Sequence, residues 1–134
     1  MYTRVLVAVK LDHAGASAEL VHKAQAVSTT SDAELLFVTI VPKISDNLNE
    51  VPEDSLPKLE SFVAGLGFDP ATSRCLVRAG APHRAIPEAA RELGCDLIAL
   101  NSRNPRIHEY LMGSVASHIV MHAQCDLLVV RQVD

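Results

Sequence analysis

The residues best suited to chemistry in this chain are Asn101-Ser102-Arg103-Asn104-Pro105 and, a short spacer later, Gly113-Ser114. They follow an apolar burst, Leu97-Ile98-Ala99-Leu100, and lead into a helical pattern from Ser114 to Ala123. Strand, loop and helix start in that order is a geometry that binds phosphate. Backbone N–H groups in the first turn lack helical partners and point outward, and the helix dipole favours negative charge there. Asn101 and Asn104 tolerate left-handed backbone angles, and Pro105 biases Asn104 away from helix. Gly113 admits close approach to the backbone, and the Ser114 hydroxyl can cap the helix or donate to a phosphate. Arg103 and Arg106 offer planar guanidinium groups matched to phosphate, and His108 lies in the same spacer. The plainer alternative is an ordinary turn and N-cap with exposed loop charges. A nucleotide is the leading ligand class, with no reaction implied.

Other chemistries find less support. GxxxxGK[ST] is absent, and Lys10-Leu11-Asp12-His13-Ala14-Gly15 stands after the first apolar run where a dinucleotide fold would place GxGxxG. No GxSxG elbow, nucleophile–base set or carboxylate pair stands out, so any ATP hydrolysis would be slow and the protein at most a weak phosphohydrolase. His118 and His122 have the i, i+4 spacing that can chelate zinc, but no Glu follows His118, so HExxH is missing and no metal site is expected. His13 and His83 fall near strand ends, where a pocket rim is one option. Cys75, Cys95 and Cys125 are odd in number and widely spaced, and read as small buried hydrophobes rather than a disulfide framework or zinc ribbon.

The elements that must hold the loop alternate along the chain. Strands are expected at 4–10, 34–41, 73–79, 97–100 and 127–131, and helices at 16–30, 53–66, 82–93 and 114–123, with 43–54 irregular. Near-continuous apolar strands between amphipathic helices imply a parallel sheet covered on both faces. This is an α/β class fold: one domain over 1–134, with an open five-stranded sheet in the order 3-2-1-4-5 between four helices. Ligands of such sheets sit beyond the carboxyl ends of the strands. That makes 8–12, 40–42, 79–82 and 100–104 the candidate lining.

Composition agrees with a folded binding domain. With 134 residues, 49% apolar and 21% charged, the chain can bury a sizeable core. A net charge of -4 without a basic cluster argues against nucleic acid or an anionic membrane as partner. No apolar run reaches the length of a membrane span. Met1-Tyr2-Thr3-Arg4 runs directly into Val5-Leu6-Val7-Ala8-Val9, too short for a signal-peptide core, so a cytoplasmic protein is expected.

The segments 101–107, 111–117 and 122–131, with Val77-Arg78-Ala79-Gly80-Ala81-Pro82 and Gly94-Cys95-Asp96-Leu97-Ile98, together resemble the universal stress protein family along the whole chain. The resemblance implies a fold like that of the adenine nucleotide alpha hydrolases. It also implies a homodimer through the edge strand 127–131 and a stress-response role as a sensor or regulator. Its implied ligand is ATP, with or without Mg2+, or another adenine nucleotide. Carried over position by position, Gly113, Ser114 and Val115 would hold phosphate, Leu100 and Ile40 would flank ribose and adenine, and Ala8, Val9 and Lys10 would border the base. Asn101 stands for the first glycine of the family's phosphate loop and Asn104 for the second, with Arg103 between them. The spacer from Asn104 to Gly113 is eight residues, in keeping with an SRNP-loop subgroup of small proteins. Lys10 departs from the family's usual Asp at the first strand end, and a lysine cannot accept a hydrogen bond from an adenine amine or ribose hydroxyl. It could pair with phosphate or with Asp12. The alternative function is a nucleotide-free dimeric interaction protein of the same fold, without a cofactor.

Overall fold

A computed structural model describes residues 2–43, 52–69, 71–102 and 114–131. The site candidates Arg103, Asn104 and Gly113, together with Pro105, Arg106 and His108, lie outside the described residues, as does most of the irregular 43–54 stretch. The elements run β1 (Arg4–Ala8), a 3-10 turn (Leu11–His13), α1 (Ala14–Thr29), β2 (Glu34–Val41) and α2 (Ser55–Gly65). They continue with β3 (Arg74–Ala79), α3 (Pro82–Leu93), β4 (Leu97–Ser102), α4 (Ser114–His122) and β5 (Asp126–Arg131). All strand pairings are parallel, and the order is β3-β2-β1-β4-β5, as expected from the alternation.

Each face of the sheet carries one apolar cluster. Val5, Val7 and Phe37 point to Leu20, Val21 and Ala24 of α1 and to Leu59 and Val63 of α2. Leu6, Val38, Ile98 and Leu100 point to Ile86, Ala89 and Ala90 of α3 and to Ala116 and Ile119 of α4. Alternation along each strand thus feeds two faces, which is why the strands read as unbroken apolar runs. Leu56 shares the helical spacing of Leu59, Phe62, Val63 and Leu66, yet it is 40% exposed while those four pack on the sheet. Among the described residues no helix is long and apolar enough to cross a membrane.

Two boundaries differ from the sequence expectation in ways that shape the site. β1 ends at Ala8 rather than Lys10, and β4 continues two residues past Leu100 through Asn101 and Ser102. β4 runs on because β5 continues beside it, Asn101 opposite Val130 and Ser102 opposite Arg131. Ladder bonds use the backbone and do not require apolar side chains.

Turns at the strand ends follow local stereochemistry. Pro82 opens α3 at a position that needs no N–H. Gly94 closes it in the left-handed region at φ +68, and the Arg4 guanidinium donates to the Leu93 carbonyl at 2.8 Å. Gly80 at φ +130 is open to glycine alone, and its N–H donates to the Val41 carbonyl at 2.9 Å, tying the ends of β2 and β3 together.

Asp96 ties the entry of β4 to the entry of β1. Its carboxylate accepts the backbone N–H of Thr3 at 2.9 Å and of Arg4 at 3.0 Å. Partial desolvation pushes this carboxyl up, but the bonds from Arg4 and Thr3 outweigh it and hold it below the ordinary carboxylate value. A carboxyl depressed by folding stabilises above its unfolded value, about 3.9, and that contribution is lost as pH falls through the folded value. Asp96→Ala should therefore lower stability at pH 7 by about 1 kcal/mol, the low end for a charged acceptor open to water. Urea unfolding at pH 7 and pH 3 checks this. The deficit of the variant should be full at pH 7 and shrink at pH 3, which lies below the unfolded value, so that the unfolded chain's carboxyl is already taking up its proton.

Candidate functional site

A cavity of about 440 Å3 opens at the carboxyl ends of β1 and β2. The β1 end and following turn (8–13) form one side, the β2 end (38–42) another, and Pro82 and Ile86 of α3 a third. The walls behind it are apolar, with Ala8, Val38 and Ile86 all buried. Its floor is fixed by hydrogen bonds that consume the nearby polar groups. The Val9 N–H donates to the Val38 carbonyl at 2.8 Å, and the Thr39 hydroxyl donates to the Val9 carbonyl at 2.9 Å. The Ser17 hydroxyl, fully buried in α1, accepts the Lys10 N–H and donates to the Lys10 carbonyl, both at 3.0 Å. A buried hydroxyl with both roles filled costs little, and here it explains why the chain leaves the ladder after Ala8.

With its backbone tied down, Lys10 presents an exposed side chain at the cavity mouth. Among the described residues no ion pair joins it to Asp12, whose carboxylate lies 3.8 Å from His13 Nε2.

The other candidates lie beside the cavity, across β4. Val7 pairs with Ala99, so Leu100 and Asn101 continue β4 alongside the end of β1. Leu100 is buried in the cluster that includes Ala8 and does not line the cavity. The Asn101 amide reaches the Val130 carbonyl at 3.5 Å, which turns it toward β5. Ser114 is exposed as the first residue of α4, and Val115 packs partly against the same cluster. Of the sequence candidates, Ala8, Val9, Lys10 and Ile40 share the cavity, while Leu100, Asn101, Ser114 and Val115 form a second group next to it.

A model of the universal stress protein family matches residues 1–131. This chain belongs to that family. Universal stress protein G of Shigella flexneri is 35% identical to it over 71% of this chain, a match spanning 65% of that protein's own length. A Staphylococcus haemolyticus protein named for the same family is 33% identical, covering 97% of this chain and 85% of that one. A universal stress protein solved in complex with cAMP superposes with a TM-score of 0.67 at 23% identity over 96% of both chains, a likeness of fold.

Within this universal stress protein domain, sequence reasoning overlooked Val38, Thr39 and Ile86. Thr39 and Val38 fall inside the β2 run, and Ile86 reads as one more apolar residue of α3. Nothing local marks them, because they become site residues only when β1, β2 and α3 meet. His13 does line the cavity, whereas His83 does not: its ring packs against His118 of α4, centroids 4.6 Å apart.

The thiols are poor nucleophiles. All three are free, Cys95 buried and Cys75 and Cys125 half-buried. Burial pushes each of them up, Cys95 to about 11, so they stay protonated at neutral pH. Among the described residues no group of three His, Cys, Asp or Glu side chains is placed to hold a metal ion.

Proposed function

We propose that this universal stress protein binds ATP or a related adenine nucleotide and acts as a dimeric, cytoplasmic stress sensor or regulator rather than as a turnover enzyme. The observation that carries this is the apolar-walled cavity at the ends of β1 and β2, with the first turn of α4 across β4 from it. Adenine would enter between Ala8, Val9 and Ile40. Ribose would lie toward Leu100 and Asn101. The phosphates, with or without Mg2+, would lie at Gly113, Ser114 and Val115, with Arg103 and Asn104 contributing from the preceding loop. By type these residues supply donors and apolar walls, and the sequence marks none of them as a base for water. The solved relative bound to cAMP supports an adenine ligand for this fold.

The proposed dimer forms through β5, which among the described residues pairs with β4 alone and lies at the edge of the sheet. Val120 and Met121 of α4, 44% and 76% exposed, are the exposed large apolar residues nearest in sequence to that edge among the described residues.

Lys10 favours a second reading, a nucleotide-free interaction protein that keeps the fold and the dimer edge. Calorimetry with ATP on protein freed of bound nucleotide by unfolding and refolding separates the two. Saturable heat below millimolar ATP supports the first reading, and none together with no nucleotide released on denaturation supports the second. Lys10→Asp restores an acceptor for ribose or adenine, so its ATP affinity should rise about tenfold, the worth of one hydrogen bond to a charged group. Weaker binding in that variant would place the Lys10 ammonium on phosphate instead.

A further inference from the structure

His83, His118 and His122 come together although the sequence pairs only the last two. The His83 and His118 rings meet edge to face with centroids 4.6 Å apart, and His118 and His122 lie 4.3 Å apart at a 44° tilt. His83 belongs to the first turn of α3, and His118 and His122 to successive turns of α4. The rings meet edge to face and at a tilt, and among the described residues no three such side chains are placed to hold a metal ion. We propose that these three histidines form a proton-operated latch between α3 and α4, closed while the His118 ring is neutral and opened when it takes up a proton, at the end of the domain that flanks the nucleotide site.

Among the described residues nothing beside His118 stabilises a proton on its ring. Burial lowers its proton affinity most, and then His122, His83 and Arg84 each lower it further. On α3, Glu88 is exposed and Glu92 lies 3.5 Å from Arg78, so neither carboxylate is held against the rings. Toward the other end of α4, His122 shares a cavity of about 240 Å3 with Arg91 and the thiols Cys95 and Cys125. Those thiols are protonated at neutral pH, so the cavity adds another positive charge and no negative one. Beneath α4, β4 and β5 contribute Ile98, Leu100, Leu127 and Val129, all apolar. A proton on His118 therefore sets a positive charge on α4 against that of Arg84 on α3, with no described carboxylate held against the rings to offset it.

The fold lets that repulsion act on the site. Pro87 sits inside α3 and has no N–H, so the His83 carbonyl receives no helical bond from that position. The first turn of α3, which carries Pro82 and Ile86 into the cavity wall, is thus joined to the rest of its helix more loosely than an unbroken helix would be. His118 lies one turn along α4 from Ser114. Opening the latch separates the two helix starts that border the cavity and the phosphate-facing turn.

The sign follows from linkage. His118 binds a proton less readily in the folded than in the unfolded chain, where its value is about 6.5. Its contribution to stability is complete above that value and is lost as pH falls from about 6.5 through the folded value. The second half of the proposal, loss of ligand on opening, rests on the nucleotide reading given above.

The test uses the full chain, ATP as the probe and His118→Phe, which keeps a ring and removes the titration; His83→Phe serves if that variant does not fold. Without nucleotide, the urea midpoint should drop between pH 7.5 and pH 5.5, and the variant should lose less than half as much. An equal drop in the variant overturns the latch, as does an NMR titration placing His118 at or above its unfolded value. With ATP, acidification over the same range should weaken binding by at least about fivefold more in the unmodified protein than in the variant, the low end of coupling between sites. Comparing the two proteins cancels the titration of ATP itself. Equal weakening in both overturns the coupling. A His118-dependent stability drop without ATP binding at any pH supports the latch and rejects the nucleotide reading. ATP binding with a His118-independent drop does the reverse.

Discussion

Ile40→Asp is expected to weaken ATP binding about a hundredfold. Ile40 is partly buried near the end of β2, borders the cavity and packs on the cluster that holds Ala8, Val38 and Ile86. Removing its side chain takes away one wall of the proposed base pocket, worth about 1–2 kcal/mol of apolar contact. The new carboxylate adds a second effect, since it would face a polyanionic ligand across a site with low-dielectric walls. Together these come to roughly 2.7 kcal/mol, or two decades in Kd. Ile40→Asn separates the two, because it loses the wall without gaining the charge and should cost about tenfold. Calorimetry on both variants decides between them. Equal losses would place the phosphates far from β2, and no loss in either would remove Ile40 from the site. Both variants also lose burial against the sheet, about 1–2 kcal/mol of stability, so urea curves must accompany the titrations.

How far this site could be read from the sequence depends on how local each part is. The two turns at the ends of α3 were legible because Pro82 and Gly94 state their backbone requirements by themselves. So was the parallel sheet, because β2 and β4 are apolar on both faces. The end of β1 was not. Val9 continues the apolar, β-branched pattern and Lys10 carries no turn signal, so only the buried Ser17 hydroxyl of α1 shows why the chain turns there. A serine on a helix gives no sign of which backbone group it will clasp. The overrun of β4 into Asn101 and Ser102 was hidden for the opposite reason, since polar side chains mask a backbone that pairs through its ladder.

The cavity shows the same limit at larger scale. Ala8, Val9, Lys10 and Ile40 were assigned to one site from the family resemblance, and they do share a cavity. Ile86 and Thr39 were missed because each looks structural in its own element. The histidine contact is the extreme case. The i, i+4 spacing of His118 and His122 suggested a chelating pair, but the ring that completes the group comes from α3, across a crossover. Spacing within one helix can propose a pair; only packing between helices shows that the three rings meet edge to face and at a tilt.

Phe37→Ala should lower the free energy of unfolding by about 3–5 kcal/mol, the usual cost of emptying a buried aromatic site. Phe37 is fully buried in the middle of β2, with Val7 of β1 on one side and Cys75 of β3 on the other. Its ring meets Phe68 edge to face, centroids 5.1 Å apart. Phe68 follows Gly67 at the end of α2, and its N–H donates to the Val63 carbonyl at 3.1 Å, so the aromatic pair fastens the end of α2 to the sheet. A loss of this size is a third or more of the stability of an ordinary domain. Urea unfolding at pH 7 measures it, and Phe37→Leu should recover most of the loss because volume is largely kept. A cycle with Phe68→Ala isolates the ring contact, expected to couple by about 0.5–1.5 kcal/mol. A total cost below about 1 kcal/mol would mean that α2 does not cover this face. Because Phe37 lies on the α1–α2 side and the cavity wall on the α3 side, ATP affinity of the folded fraction should stay unchanged. A parallel loss of affinity would show instead that the position of β2 within the sheet is held by this pair.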